Sequence, residues 1–209
     1  MRLLLILVFI HSIGAQKSKN CLPVYVRWAR AALDQISTVS GSYSVEDCQK
    51  ACTDNYDPAN HRYNYPCAAF NYKKGVKSFH DDCQLFRETQ LHSIDYDVIA
   101  RDSYSFYRKY CIKTSKECKG ALYHYDLVVD SYMSPSEIRR RVPGSGVETC
   151  LSLCHNERTF TCRSVTMNRT SGECLLSAHN RLSKPGYVTL NTNPNWRVDY
   201  YENNCYNGE

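Results

Sequence analysis

Four short stretches of the chain carry clear patterns of apolar and polar positions. In "SVEDCQKAC" and "GVETCLSLC", apolar residues and cysteines recur three and four residues apart, which places them on one face of a helix. "CAAFNY" and "CRSVTM" alternate instead, with Phe70 and Tyr72 in the first and Val165 and Met167 in the second, and this is typical of strands. The pattern therefore predicts a short helix followed by a strand, twice along the chain.

Each predicted helix has a candidate N-terminal cap. Ser44 precedes Val45 and is followed three residues later by Asp47, the arrangement of a capping box, which satisfies the free amide groups of a first turn. Ser145 and Glu148 stand in the same relation in the second segment. We therefore expect helices that begin after these two serines and turn their cysteines inward.

The longest apolar run lies at the N-terminus. In "MRLLLILVFIHSIGA", one arginine precedes the run from Leu3 to Ile10, and the small residues Gly14 and Ala15 close the segment. This is the anatomy of a secretory signal peptide, here residues 1–15. A membrane span needs about 20 apolar residues, roughly twice this run. We expect a secreted, extracellular protein without membrane insertion.

The twelve cysteines divide into two sets of six, and other residues repeat in register with them. Tyr107 and Tyr201, for example, each lie four residues before the last cysteine of their set. The repeat predicts two homologous domains, each an independent scaffold, at residues 21–111 and 118–205, with residues 112–117 as a linker. The sets are Cys21, Cys48, Cys52, Cys67, Cys83 and Cys111, then Cys118, Cys150, Cys154, Cys162, Cys174 and Cys205.

The paired cysteines of each predicted helix could be metal ligands, a redox pair or halves of separate crosslinks. Cys48 and Cys52 point the same way, a poor geometry for bridging each other, so each is expected to reach a different segment. Cys150, Cys154 and His155 are a partial zinc set, but the CxxC spacing typical of zinc and redox sites is absent. Disulfides are the usual state of an even number of cysteines in a secreted protein, and we expect no metal or cofactor.

The cysteine spacing resembles the PAN/apple family, which has a CxxxC helix, a strand near the fourth cysteine, a fifth cysteine before leucine and a closing strand with tyrosine. The resemblance covers both halves and implies an α+β fold in which each domain is a curved antiparallel sheet cradling one helix. Spacing alone leaves fifteen pairings for each set of six cysteines. The resemblance implies Cys21 with Cys111, Cys48 with Cys83, Cys52 with Cys67, Cys118 with Cys205, Cys150 with Cys174 and Cys154 with Cys162.

Two segments depart from the family pattern. The first domain has fourteen residues between Cys52 and Cys67, against seven between Cys154 and Cys162. A loop of that length, rich in Tyr, Asn and Pro, is either a contact surface or a solvated insertion. In addition, "VRWARAALDQI" at residues 26–36 predicts a helix that is not typical of the family.

Charge and motifs exclude several functions. The formal net charge of +5 is too weak to indicate a nucleic-acid partner. GxSxG, HExxH and P-loop motifs are absent, so no enzyme is predicted.

Two candidate sites lie in the second domain. Three consecutive arginines on a predicted loop could hold a sulfated sugar: Arg139, Arg140 and Arg141. Asn168 begins the glycosylation sequon "NRT", predicted on a hairpin before Cys174.

The family's modules make protein or carbohydrate contacts in larger extracellular proteins. The resemblance therefore implies a secreted, non-catalytic module for protein–protein adhesion or extracellular-matrix contacts, whose partners are extracellular proteins or matrix glycans. The alternative is a lectin-like module that binds a heparin-like glycan through Arg139, Arg140 and Arg141. The oligomeric state is left open.

Overall fold

The computed structural model describes residues 21–37, 39–75, 80–91, 97–114, 118 and 123–206. The predicted signal peptide and residues 115–117 of the predicted linker lie outside this part of the chain. The first half contains β1 (Leu22–Leu33), β2 (Val39–Gly41), α1 (Val45–Asp54), β3 (Tyr56–Asp57), β4 (Arg62–Tyr63), β5 (Cys67–Lys73), β6 (Asp82–Arg87) and β7 (Val98–Ile112).

The second half repeats this order with small changes. It contains β8 (His124–Val129), β9 (Ser131–Met133), β10 (Ile138–Pro143), α2 (Val147–Asn156), β11 (Ser164–Asn168), β12 (Glu173–Ser177), β13 (Val188–Leu190) and β14 (Val198–Asn203). Short 3-10 turns lie at Glu88–Gln90, Pro135–Glu137 and Asn204–Tyr206. α1 and α2 each have ten residues and hold equivalent places in the two halves.

Ten of the described strands form one sheet, in the order β2-β6-β5-β7-β1-β8-β14-β11-β12-β10. Five strands come from each half, and every pair within a half is antiparallel. The halves meet where β1 and β8 pair in parallel, with Tyr25 opposite His124 and Trp28 opposite Leu127. Because β1 and β8 hold equivalent places, the two halves are arranged symmetrically about this pair.

The two helices pack on opposite faces of the sheet. Tyr25 of β1 lies beneath α1 and donates a hydrogen bond from its hydroxyl to the Gln49 carbonyl oxygen at 3.2 Å. Its counterpart Tyr125 of β8 donates to the Leu151 carbonyl oxygen of α2 at 3.3 Å. Tyr125 pairs with Val26, the neighbour of Tyr25, and consecutive side chains of a strand point to opposite faces. The face under α2 is therefore the reverse of the face under α1.

The core beneath α2 contains residues of both halves. Val24 and Val26 of β1 and Ile112 of β7 are at most 4% exposed, and they pack in one cluster with Leu151 and Val165 of the second half. The two halves therefore share this core, because the first half supplies apolar side chains that pack beneath α2. The sequence did not reveal this sharing, and the independence of the two scaffolds stays a prediction.

Disulfides tie each helix to the sheet. In the first half, one bond joins α1 to β6 and another joins α1 to β5, and in the second half the equivalent bonds start from α2. A third bond in each half joins its two ends. Every bond stays within one half, and the pairs are those that the resemblance implies: Cys21–Cys111, Cys48–Cys83, Cys52–Cys67, Cys118–Cys205, Cys150–Cys174 and Cys154–Cys162.

Residues 26–36 do not form the helix that their sequence predicts. Most of the segment lies in β1, which pairs along its length with β7 and in part with β8. A register shift between Ala29 and Ala31 places Arg30 at a φ of 56°. The helix prediction was wrong because a strand that is buried on both faces lacks alternation, and because partner strands override the helix preference of alanine.

The two helices begin differently. Ser44 caps α1 as predicted and accepts a hydrogen bond from the Asp47 amide at 3.1 Å. The cap of α2 is Gly146 instead of Ser145, whose hydroxyl lies 3.1 Å from that of Thr149. The chain turns at Gly146 with a φ of 142°, which glycine adopts without steric cost, and this moves the helix start by one residue.

We expect the double substitution Cys48→Ala, Cys83→Ala to lower the melting temperature and the secreted yield. This disulfide spans 35 residues, and its loss costs roughly 2 to 4 kcal/mol because the unfolded chain gains freedom. For a protein of this size each kcal/mol lowers the melting temperature by about 2–4 °C. Thermal unfolding followed by circular dichroism measures the shift.

The matched comparison is the pair Cys154→Ala, Cys162→Ala, whose disulfide spans only 8 residues. Its loss is expected to cost about 1 kcal/mol less, because a shorter loop constrains the unfolded chain less. An unchanged melting temperature after removal of Cys48 and Cys83 would contradict the prediction.

Val26→Asp is expected to loosen the second half, although the substitution lies in the first. The new carboxylate would lie unpaired in the core beneath α2. Burying it there lowers the free energy of unfolding by roughly several kcal/mol. Limited proteolysis with mass spectrometry should find new cleavage sites within residues 124–203. Ile99→Asp, at a position that is 41% exposed on β7, is the control and should leave those residues protected. Cleavage confined to the first half in Val26→Asp would argue against the shared core.

Candidate functional site

The three consecutive arginines lie on a strand, β10, and the prediction of a loop was wrong. Arg140 places Nη1 2.8 Å from Oε2 of Glu157, and Arg141 places Nη1 3.6 Å from Oε2 of Glu173. Of the three, Arg139 alone has no ion pair with any residue that the structure describes. The segment is a strand because its backbone pairs with β12, which a run of charges in the sequence does not reveal.

The position of β10 explains the arginines in another way. It is the last strand of the ten-stranded sheet, so one of its edges pairs with none of the described strands. An unpaired edge can pair with another chain, and proteins prevent this with charged residues, proline and bulges. β10 has all three, since it ends at Pro143 and its register shifts between Ile138 and Arg140. The arginines therefore fit edge protection better than a free anion-binding patch.

Glu157, the partner of Arg140, is a buried structural carboxylate. Its side chain is 1% exposed, and Oε1 accepts hydrogen bonds from the amides of Arg158 at 2.8 Å and Thr159 at 2.9 Å. Burial by itself would raise the pKa of Glu157, but the hydrogen bonds from Thr159, Arg140 and Arg158 outweigh it and lower the pKa to about 2. The residue fixes the end of α2 against β10.

The long insertion of the first half forms an ordered ribbon of β3 and β4. Asp57 holds it, because Oδ1 accepts hydrogen bonds from the amides of Ala59 at 3.0 Å and Asn60 at 3.1 Å. The Tyr63 side chain on β4 is 72% exposed, and its ring centre lies 5.0 Å from that of Tyr56, its partner on β3. The insertion thus presents an exposed aromatic ring on an ordered ribbon.

Cys118, His155 and Cys205 bring potential metal-ligand atoms within 4.8 Å of one another. The two sulfurs are bonded to each other in a disulfide, whereas a cysteine binds zinc through its thiolate. The partial set that the sequence suggested, Cys150, Cys154 and His155, likewise has both sulfurs in disulfides. The Nδ1 atom of His155 lies 3.1 Å from the Tyr123 hydroxyl. These cysteines therefore crosslink the fold and offer no thiolate.

On the face of the sheet that carries α1, the junction of the halves is polar. Arg27 of β1 places Nη1 3.5 Å from Oδ1 of Asp126 on β8, and Asn204 donates to Oδ2 of Asp126 at 3.1 Å. Burial would raise the pKa of Asp126, but His124, Asn204 and Arg27 outweigh it and lower the pKa. Asp126 is thus an ionised carboxylate that ties the halves together, which is unlike a general acid or base poised near neutral pH.

A cleft of about 540 Å³ lies at the same junction on the other face. Trp28 of the first half lies on one side of it, and the loop 191–197, "NTNPNWR", lies on another with Trp196. Trp28 follows Val26 by two residues on β1, so its side chain points to the face that carries α2. The chain has two tryptophans, and both line this cleft.

The loop that carries Trp196 is held by its own asparagines. Oδ1 of Asn191 accepts from the Asn193 amide, and Oδ1 of Asn193 accepts from the Asn195 amide, both at 3.0 Å. These side-chain turns fix the backbone, and the Trp196 ring packs edge-on against Tyr132 with 4.7 Å between ring centres. Trp196 is therefore held in position before any ligand binds.

The two arginines of the cleft differ in their surroundings. Arg169 places Nη2 2.9 Å from Oδ1 of Asp130 and Nε 3.1 Å from Oδ2 of Asp199. Arg197 is exposed and has no ion pair with any of the described residues. The cleft therefore combines two half-buried indole rings with one uncompensated guanidinium group.

Two disulfide-tied helices on opposite faces of one antiparallel-rich sheet, with a cleft between the halves, define a disulfide-rich α+β module. The PAN domain family matches residues 21–111 and again residues 118–205, and the chain belongs to this family. It is also similar to Protein let-653 of Caenorhabditis elegans, with 37% identity over 205 residues. That match covers 98% of this chain and 25% of the relative, so the chain spans about a quarter of the relative's length.

Membership of this family indicates a general class of function. PAN domains are non-catalytic modules that bind proteins or carbohydrates. In the part of the chain that the structure describes, no helix has the length and apolar character needed to cross a bilayer.

Sequence reasoning missed the cleft but placed the sequon correctly. The cleft joins Trp28 and Trp196, which lie far apart in the sequence, and its local signal was a loop dense in asparagine with one proline.

Asn168 ends β11 at the predicted hairpin, and its Oδ1 accepts hydrogen bonds from the amides of Thr170 and Ser171 at 2.9 and 3.1 Å. Glycosylation of Asn168 stays a prediction.

The low pKa of Glu157 predicts a pH dependence of stability. The ionised form is the one that the fold binds, so its contribution is complete above the ordinary value of 4.5 and is lost as the pH falls towards 2. Glu157→Gln should therefore lower the free energy of unfolding at pH 7, and the difference from the original protein should shrink between pH 4.5 and 2. Urea unfolding at several pH values measures this.

Glu148→Gln is the control, because Glu148 is exposed in the first turn of α2. Its effect on stability should be small at every pH. A stability difference for Glu157→Gln that stays constant down to pH 2 would show that the carboxylate is not held in its ionised form.

Proposed function

We propose that this chain is a secreted, non-catalytic module that binds an extracellular protein through the cleft at the junction of its two halves. The observation that carries the proposal is the placement of both tryptophans and the unpaired Arg197 around one concave site. Tryptophan and arginine are the residue types that most often carry the binding free energy of protein interfaces. A matrix protein or an adhesion partner is the expected class of ligand.

The size and rigidity of the cleft favour binding. Its volume of about 540 Å³ lies within the roughly 300–1,000 Å³ usual for ligand sites. The turns of the loop 191–197 hold Trp196 in place, so little conformational entropy is lost when a partner docks.

The remaining features agree with an extracellular, non-catalytic role. Six disulfides are typical of an oxidising compartment. The half-buried carboxylate of Asp126 and the buried carboxylate of Glu157 both have lowered pKa values, whereas an acid or base catalyst at neutral pH needs a pKa near 7. The heparin-like alternative depends on three arginines, two of which are ion-paired on an edge strand.

Arg197→Glu is expected to reduce retention on insoluble extracellular matrix prepared from Caenorhabditis elegans, the organism of the relative. The substitution reverses the unpaired charge of the cleft, and Arg197 is exposed, so the fold should tolerate it. Trp196→Ala should have the same effect by removing an aromatic contact. The measurement is the fraction of purified protein that sediments with the matrix.

Arg139→Glu and Tyr63→Ala are matched controls for a charge reversal on β10 and for the loss of an exposed aromatic ring. Both should bind as the original protein does. Digestion of the matrix with a protease should abolish retention, whereas digestion of its glycans should not. Retention that survives Arg197→Glu and Trp196→Ala but disappears in Arg139→Glu or after glycan removal would favour the glycan alternative and contradict the proposal.

A further inference from the structure

Three side-chain oxygens of the cleft already accept hydrogen bonds within the protein. Oδ1 of Asp130 already accepts from Arg169, and the Oδ1 atoms of Asn191 and Asn193 already accept from backbone amides of the loop. A ligand that donates hydrogen bonds to these oxygens would therefore compete with contacts already made within the protein.

Donors, in contrast, are available. The indole N–H groups of Trp28 and Trp196 have no acceptor among the residues that the structure describes. Arg197 adds a guanidinium group with five N–H donors and no carboxylate partner in the same part of the chain. The site therefore offers flat apolar faces, hydrogen-bond donors and one positive charge.

This set of groups discriminates between kinds of ligand. Each hydroxyl of a neutral sugar is both donor and acceptor, so a sugar requires acceptors as well as donors from the protein, and three side-chain acceptors of the cleft are already engaged. A proline-rich segment in the polyproline II conformation has carbonyl acceptors, apolar rings and, at each proline, no N–H donor. Aromatic-lined grooves bind such segments, and the extended conformation is preformed, which lowers the entropy cost of binding.

We infer that the cleft binds a proline-rich segment of a partner protein in the polyproline II conformation, with an acidic residue of that segment against Arg197. The inference rests on the proposed function, because it names the kind of protein segment that occupies the same site. Proline rings pack on Trp28 and Trp196, the indole N–H groups donate to carbonyl oxygens of the segment, and the acidic residue neutralises the uncompensated guanidinium.

The two tryptophans make the test specific to the site. Since both tryptophans of the chain line the cleft, a change in the intrinsic tryptophan fluorescence of the whole protein reports occupancy there. The probes are three synthetic peptides of equal length: oligoproline flanked by glutamate, oligoproline flanked by lysine, and oligoalanine flanked by glutamate. The glutamate oligoproline should give a saturable change, and the lysine peptide should bind about tenfold more weakly because a charged hydrogen bond is lost.

Charge reversal in the protein supplies a second readout. Arg197→Glu should weaken the binding of the glutamate-flanked oligoproline by at least about tenfold. It should also reverse the preference, so that the lysine-flanked oligoproline binds more tightly than the glutamate-flanked one. Arg139→Glu, which reverses a charge away from the cleft, should keep the original preference. Circular dichroism spectra of both variants check that the fold is intact.

Three results would overturn the inference. The first is an equal fluorescence change with the oligoalanine peptide, which would show that the polyproline conformation is not recognised. The second is a change with a neutral oligosaccharide or heparin but not with oligoproline. The third is no response to any peptide while matrix retention still depends on Arg197 and Trp196, which would reject the proline-rich ligand and leave the proposed function standing. Loss of that dependence would instead reject the proposed function.

Discussion

The parallel pairing of β1 with β8 is the interaction on which the rest of the molecule depends. β1 also pairs with β7, so both of its edges are used. Both of its faces are used as well, because Tyr25 packs beneath α1 while Val24 and Val26 pack beneath α2. Since burial of apolar side chains is the main favourable contribution to folding, one strand contributes to the stability of two cores.

The same pairing determines which surfaces are open. It hides one edge of each half, so among the described strands the sheet ends at β2, which has three residues, and at β10, which carries the arginines. Short or charged edge strands resist pairing with other chains. The pairing also brings Trp28 of the first half next to the loop of Trp196, so the candidate binding cleft exists only because the halves are joined.

Features that depend on neighbours in the sequence were predictable, and features that depend on distant partners were not. The helical cysteine faces, the Ser44 cap and the strands around Phe70 and Val165 are local features, and the structure confirms them. Residues 26–36 were predicted as a helix because the strands that pair with β1 lie elsewhere in the sequence. The cleft was missed for the same reason, since two distant segments form it.

The most direct test of the shared sheet is native-state amide hydrogen exchange as a function of urea, with β5 and β11 as reporters for the outer parts of the two halves. If β1 joins both cores, the slowest amides of both strands should open with the same free energy and the same urea dependence, as one cooperative unit. Two different opening free energies, each with a urea dependence near half that of global unfolding, would show two independent domains and contradict the account.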